Sequence, residues 1–278
     1  MTALIMLLGI YPVILLLGAY LAIVLLFVAF QERLIFSGAF RKDATILPDE
    51  ELHEFRIDTL RIGAGGSRFR VATAGPEDAD KFCIGFVGNF ERLGAAARWS
   101  LGVATYGLRA TFVEYPGYGE SEGRARKAAI LAAAEEAARL VREQAGGRPV
   151  LAFGTSLGTF SAVHVTSLGL ADQVLLAAPP ASLKSVARDQ YPWLPVGLFL
   201  RHRFDSESLA ADIHVPALVI HGDKDRVVPT HHGRRLVEAW RGEAEFVEAT
   251  GYGHNDLDLS REGPFGRRIA EFLGRSID

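Results

Sequence analysis

Five consecutive residues, Gly154-Thr155-Ser156-Leu157-Gly158, set a hydroxyl nucleophile between two glycines. An apolar run, Pro149 to Phe153, precedes them, and small residues able to continue as a helix follow. Gly-x-Ser-x-Gly between a strand and a helix makes a turn so tight that the serine takes a strained backbone angle and its hydroxyl is pushed outward. A Cβ at either flanking position would meet the neighbouring strand or the helix, so glycine is the residue that fits. The first turn of the following helix points free N–H groups at whatever the serine attacks. Without its context the same pentapeptide is an ordinary glycine-rich turn, so the rest of the chain has to supply the chemistry.

A serine hydroxyl is a weak nucleophile at neutral pH. It needs a base within hydrogen-bond reach, and the base needs an acid to fix its tautomer and stabilise its cation. Two later stretches offer them: His221-Gly222-Asp223-Lys224-Asp225-Arg226-Val227-Val228-Pro229, and Gly251-Tyr252-Gly253-His254-Asn255-Asp256. His254, bracketed by glycines in a loop after the last strand, is the expected base. His53 precedes the sheet, His164 lies within the helix after the serine, and His202 and His214 belong to a segment that breaks the fold pattern. His221 sits at a strand end, and His231 and His232 open a helix. Asp225 is the expected acid, because Asp223 directly follows the strand and can organise the turn through its own side chain. Asp256, two residues from His254, reads as a loop or helix cap. An oxyanion needs two backbone N–H donors: Leu157, after the serine, and either Asn89 or Phe90 in the loop after an earlier strand.

The elements that would position these groups follow from hydrophobic periodicity. Residues 55–62 and 68–72 alternate around the Gly63–Gly66 turn, an antiparallel hairpin at a sheet edge. Lys81–Val87, Arg109–Val113, Pro149–Phe153, Gln173–Ala177, Pro216–His221 and Ala244–Ala249 read as further strands. Helical stretches run from after Asn89 to about Tyr106, and over Lys127–Gln144, Ser156–Leu168, His231–Trp240 and Pro264–Gly274. Alternation at this spacing makes an α/β fold, a mostly parallel sheet covered on both faces with an antiparallel start. Residues 179–213 interrupt it with four prolines and four aromatics, on the side of the sheet where ligands bind. They are expected to form a small cap, with Tyr191 and Trp193, together with Tyr118 of the glycine-rich loop Tyr115–Gly123, rimming the site.

The chain has 278 residues, 49% of them hydrophobic, and a net charge of −3. That suffices for one large core and implies no nucleic-acid-binding surface. Its single cysteine, Cys83, can make no intrachain disulfide and reads as a small buried hydrophobe. From Met1 to Phe30 there is no charged side chain. The stretch is long enough to cross a hydrocarbon core of about 30 Å, whereas a cleaved signal peptide would want a basic start and a shorter apolar run. Residues 1–32 are therefore expected to be a retained transmembrane anchor and 33–278 the catalytic domain. Arg33, Arg41 and Lys42 after the span favour a cytoplasmic domain.

Taken in order, these blocks resemble the α/β-hydrolase superfamily, within it the membrane-anchored branch that includes protein depalmitoylases and related lipid-ester hydrolases. They are also similar to the catalytic domains of prolyl-oligopeptidase-type peptidases. The resemblance runs through Gln31-Glu32-Arg33-Leu34-Ile35-Phe36, Gly88-Asn89, Tyr115–Gly123, the Ser156 turn, Tyr191-Pro192-Trp193-Leu194-Pro195 with Arg203-Phe204-Asp205, His221–Pro229 and Gly253-His254-Asn255-Asp256. It implies Ser156 as nucleophile, Asp225 as acid, His254 as base and an oxyanion donor in the Gly88-Asn89-Phe90 loop. Two positions depart from the pattern: Val87 stands where the family usually has histidine, and Pro116 where it often has arginine. The expected activity is hydrolysis of ester or thioester bonds in hydrophobic or acyl substrates through an acyl-enzyme, with no metal or organic cofactor. A peptidase or amidase on the same residues, or an inactive membrane-tethered binding scaffold, are the competing readings.

Overall fold

A computed structural model of the chain describes residues 2–40 and 55–274, with side chains from residue 10 onward. Arg41, Lys42, Asp43 and His53 lie outside the described residues. The first element is a long helix, α1 (Thr2–Ile35), closed by a short 3-10 turn at Ser37–Phe40. Its Ile10–Ile35 portion is apolar enough to span a membrane, with mean hydropathy 3.0 and little of it buried in the protein.

The edge hairpin expected between residues 55 and 72 is present as β1 (Arg56–Arg61) and β2 (Arg68–Ala74), paired antiparallel. Six parallel strands complete the sheet: β3 (Lys81–Phe86), β4 (Leu108–Val113), β5 (Val150–Thr155), β6 (Gln173–Ala177), β7 (Ala217–Gly222) and β8 (Ala244–Ala249). Their spatial order is β1-β2-β4-β3-β5-β6-β7-β8. The continuous apolar runs of β5, β6 and β7 are buried at every position, as strands covered on both faces must be. Cys83 is in this core on β3, fully buried, and burial pushes its thiol pKa far up. That suits a packing residue and not a nucleophile.

The helices between the strands are α2 (Leu93–Ala104), α3 (Lys127–Ala145), α4 (Gly158–Ser167) and α8 (His231–Ala239), and α9 (Gly266–Leu273) follows the last strand. Trp99 on α2 packs its ring 5.2 Å from Phe153 on β5, which in turn meets Phe112 on β4 at 5.5 Å. The segment expected as a cap holds three short helices, α5 (Leu183–Gln190), α6 (Val196–Phe199) and α7 (Ser206–Ala210). Beside α7, Phe204 stacks on Phe160 of α4 at 4.8 Å and is buried there, so this end of the segment is anchored to the body.

From β3 the chain first moves to one side, to β4, and then returns past β3 to β5. The crevice at the carboxyl ends of β3 and β5 is thus the point where the order reverses, the place where open α/β sheets bind ligands. The loop after β3 carries Asn89, and the turn after β5 carries Ser156. Two strands further on, the end of β7 and the loop after β8 are pressed together. Lys224 N donates to Tyr252 O at 2.9 Å, and a Cβ on Gly222 would come within 2.3 Å of that same carbonyl oxygen. Gly222→Ala must therefore push the two loops apart, at a cost of about 1–3 kcal/mol. A urea titration should show a lower midpoint for the variant, and an unchanged midpoint would contradict this packing.

Candidate active site

The serine turn follows from backbone crowding. Ser156 is one of two described non-glycine residues with positive φ, at 48°. Its own N–H donates to Ala177 O at 2.9 Å, continuing the β5–β6 ladder one residue past the strand. A Cβ on Gly154 would sit 2.7 Å from Thr159 Cα, and one on Gly158 would sit 2.1 Å from Phe86 O. The glycines thus let α4 start directly against β3. The helix expected from Ser156 begins at Gly158, because Ser156 cannot be helical at that angle.

Ser156 Oγ lies 2.8 Å from His254 Nε2, and His254 Nδ1 lies 2.7 Å from Asp225 Oδ2. The carboxylate can only accept, so Nδ1 carries the hydrogen and Nε2 turns its lone pair to the serine hydroxyl. Asp225 Oδ1 accepts from the N–H groups of Val227 and Val228, each at 2.8 Å. Its side chain is wholly buried, and that of His254 is 9% exposed. Burial pushes the Asp225 carboxyl pKa up. Hydrogen bonds from His221 and His254, attraction to His254 and the Val228 N–H outweigh it and hold the carboxyl well below the usual range.

Asp223 does what a turn residue does: its Oδ1 accepts from Gly251 N at 2.6 Å, tying the acid loop to the histidine loop. Asp256 caps the loop, accepting from Gly253 N at 2.6 Å. His221 is a residue that sequence reasoning set aside. It is fully buried, its Nε2 lying 2.8 Å from Val228 O and 3.2 Å from Asp225 Oδ2. Both are acceptors, so His221 donates from Nε2 and braces the acid from behind. The four-residue spacing between His221 and Asp225 was the only signal for it.

The loop after β3 lies against Ser156. A Cβ on Gly88 would be 3.6 Å from Ser156 Cβ. Glu91, which carried no sequence signal, organises this loop. Its Oε2 accepts from Gly88 N and from Thr155 Oγ1, the latter at 3.2 Å, and its Oε1 accepts from Trp99 Nε1 at 2.7 Å. Gly88 N–H is thereby committed to a carboxylate. Asn89 is held by its side chain, with Tyr118 OH donating to Oδ1 at 2.8 Å and Nδ2 donating to Ser37 Oγ at 2.9 Å. The side chain is occupied in fixing the loop, and Asn89, Phe90 and Leu157 all border one cavity with Ser156 and His254. Val87, in the place of the family's histidine, is buried in the core, and its carbonyl accepts from Tyr115 OH at 3.1 Å. Two tyrosines from the Tyr115–Gly123 loop therefore brace the turn.

That cavity measures about 520 Å³, in the range of small-molecule sites. Its walls are overwhelmingly apolar: Leu183, Val186 and Ala187 of α5, Leu194 and Phe199 further along the cap, and residues of α1. Of the expected rim, Tyr191 borders the cavity. Trp193 instead meets α1, its ring centroid 6.1 Å from that of Phe27. Tyr118 is fully buried beneath Asn89 and is no part of the rim, because the glycine-rich loop folds its aromatic rings inward. Away from the cavity, Asp189, His231 and His232 bring one oxygen and two ring nitrogens within 4.8 Å of one another, each His Nε2 lying 2.9 Å from Asp189 Oδ2. This contact joins cap helix α5 to α8.

No protein-family model matches the chain. An uncharacterized protein of Mycobacterium tuberculosis is 31% identical over 237 residues, covering 82% of each chain. The human alpha/beta hydrolase domain-containing protein 17B is 30% identical over 166 residues, 59% of this chain and 56% of that one. Among solved structures, an esterase of Pyrococcus furiosus superposes with a TM-score of 0.67 at 16% identity, covering 84% of this chain and 94% of its own. The thioesterase domain of a curacin biosynthetic pathway gives 0.57 at 15% identity, covering 79% and 99%. At these identities the structural likenesses concern the fold.

The depressed carboxyl of Asp225 has a consequence for stability. Its contribution is present above the unfolded-state pKa of about 3.9 and is lost as pH falls through the folded value. Wild type should melt above Asp225→Asn at about pH 7, and the gap should narrow as the pH is lowered below about 4. Thermal melts across that range check it, and a gap that widens with acid would contradict the assignment.

Proposed function

The chain belongs to the α/β-hydrolase superfamily as an enzyme of the serine hydrolase type, and on that premise we propose that it hydrolyses esters or thioesters of hydrophobic acyl groups through Ser156, His254 and Asp225. The observation that carries this reading is the unbroken chain of contacts, 2.8 Å from Ser156 to His254 and 2.7 Å from His254 to Asp225, at the wall of an apolar cavity.

Ser156 Oγ attacks the carbonyl carbon while its proton passes to His254 Nε2. Asp225 holds the imidazolium at Nδ1–H. The N–H of Leu157 and one N–H from Asn89 or Phe90 receive the charge on the carbonyl oxygen. The tetrahedral intermediate collapses as His254 gives its proton to the leaving oxygen or sulfur, and an acyl group remains on Ser156. A water then gives a proton to His254 and attacks the acyl carbon. Collapse of this second intermediate returns that proton to Ser156 and frees the acid. No step calls on a metal or organic cofactor. The apolar helix α1 anchors the enzyme in a membrane. By the charge bias of Arg33, Arg41 and Lys42 the catalytic domain faces the cytoplasm, and proteolysis in sealed vesicles of known orientation should cut it from that side alone.

Steady-state kinetics on matched esters, thioesters and amides test the chemistry. Ser156→Ala and His254→Ala should each lower kcat on the preferred ester by about 10⁴-fold or more, and the double variant should be little worse, since the two groups act as a unit. Amides cleaved faster than esters, or a Ser156→Ala variant of wild-type activity, would overturn the reading.

A further inference from the structure

Helix α1 is more than a tether. Its residues Val24, Phe27, Val28, Gln31, Leu34 and Ile35 border the same cavity as Ser156 and His254. Their spacing of three and four places them on one helical face. Turned away from that face are Leu25, Leu26 and Phe30, each about half exposed, an apolar surface suited to lipid.

The face towards the cap is fastened in place. Gln31, 7% exposed, donates from Nε2 to Phe199 O at 3.3 Å and accepts at Oε1 from Arg201 N at 2.8 Å. Tyr20 OH donates to Trp193 O at 3.0 Å, and the Phe27 ring stands edge-on to Tyr191 at 5.1 Å. Just beyond, Glu32 meets Arg124 at 3.5 Å and His202 at 3.5 Å, marking where the helix re-enters a polar setting. The docked part therefore begins at Tyr20, and its cavity-lining residues at Val24. The helix before it, residues 2–19, is roughly 27 Å long at 1.5 Å per residue, close to the thickness of a hydrocarbon core. With that part in the bilayer, the α1 side of the cavity lies at the membrane surface. Tyr191, Trp193, Leu198 and Phe199, exposed on the cap beside it, form the aromatic and apolar fringe that favours the interfacial layer.

We infer that α1 is itself a wall of the acyl-binding site and that the substrate's acyl chain passes sideways from the bilayer, between α1 and the cap, to reach Ser156. The occupant is the long chain of a membrane-embedded ester or thioester. This inference rests on the serine hydrolase reading above.

The full-length protein in vesicles of dialkyl-ether phosphatidylcholine tests it, with p-nitrophenyl palmitate and butyrate as probes. Val28→Trp narrows the α1 wall and Ala187→Phe the cap wall. Each should lower the palmitate-to-butyrate ratio of kcat/KM by about 10-fold or more, the binding lost with some two methylenes. Leu26→Trp, on the lipid face, should leave the ratio unchanged. Diluting palmitate with ether lipid at constant bulk concentration should lower the wild-type rate in step with its mole fraction. Fluorophosphonate labelling of each variant separates the two layers of the argument. Variants that label normally yet keep the wild-type ratio, or a rate that follows bulk concentration alone, overturn lateral entry and leave the serine reading standing. A wild type that neither labels nor turns over ester overturns both.

Discussion

The close approach of two backbones at Gly158 and Phe86 is the constraint on which the site depends. With no Cβ at Gly158, the first turn of α4 lies directly on the end of β3. That contact forces Ser156 into a positive φ of 48°, strain of order 1–3 kcal/mol for a residue with a side chain. The surrounding ladder holds the strain, since Ser156 N–H is bonded to Ala177 O across the sheet. The same approach brings the loop after β3 against the serine, so Ser156 and the candidate oxyanion donors are set by one crossing. Widening it would move every group at once.

On the other side of the serine the arrangement is a stack of supports. Asp225 is buried, yet stays ionised because His221, His254 and two backbone N–H groups surround it with donors. Asp223 and Gly222 press the acid loop to the histidine loop. Glu91 does the equivalent work for the loop after β3, binding it to β5 and to α2. The charges buried here are each met by hydrogen bonds, which is the condition for tolerating them in a low-dielectric site.

Much of this was legible in the sequence because it is local. The strands appear as continuous apolar runs, and a Gly-x-Ser-x-Gly turn declares its own geometry. The choice between Asp223 and Asp225 rested on turn chemistry, and Asp223 does bond a backbone N–H of the neighbouring turn. What escaped is what depends on distant partners. Tyr118, in a glycine-rich loop, reads as exposed, but its ring turns under Asn89, a contact that periodicity does not encode. Trp193 was expected at the rim and meets α1 instead. Glu91 gave no sign because its three partners, Gly88, Trp99 and Thr155, meet only in the folded chain. The docking of α1 on the cap was hidden for the same reason: an apolar stretch long enough to span a membrane does not declare that its final turns line a cavity.

The central claim is that Ser156 is a nucleophile activated by His254. Mass spectrometry of the full-length protein after brief exposure to a fluorophosphonate, with the adduct mapped by peptide fragmentation, addresses it most directly. The account predicts a single added mass on the peptide carrying Ser156, abolished by His254→Ala. An adduct on another residue, or one on Ser156 that forms equally fast without His254, would contradict it.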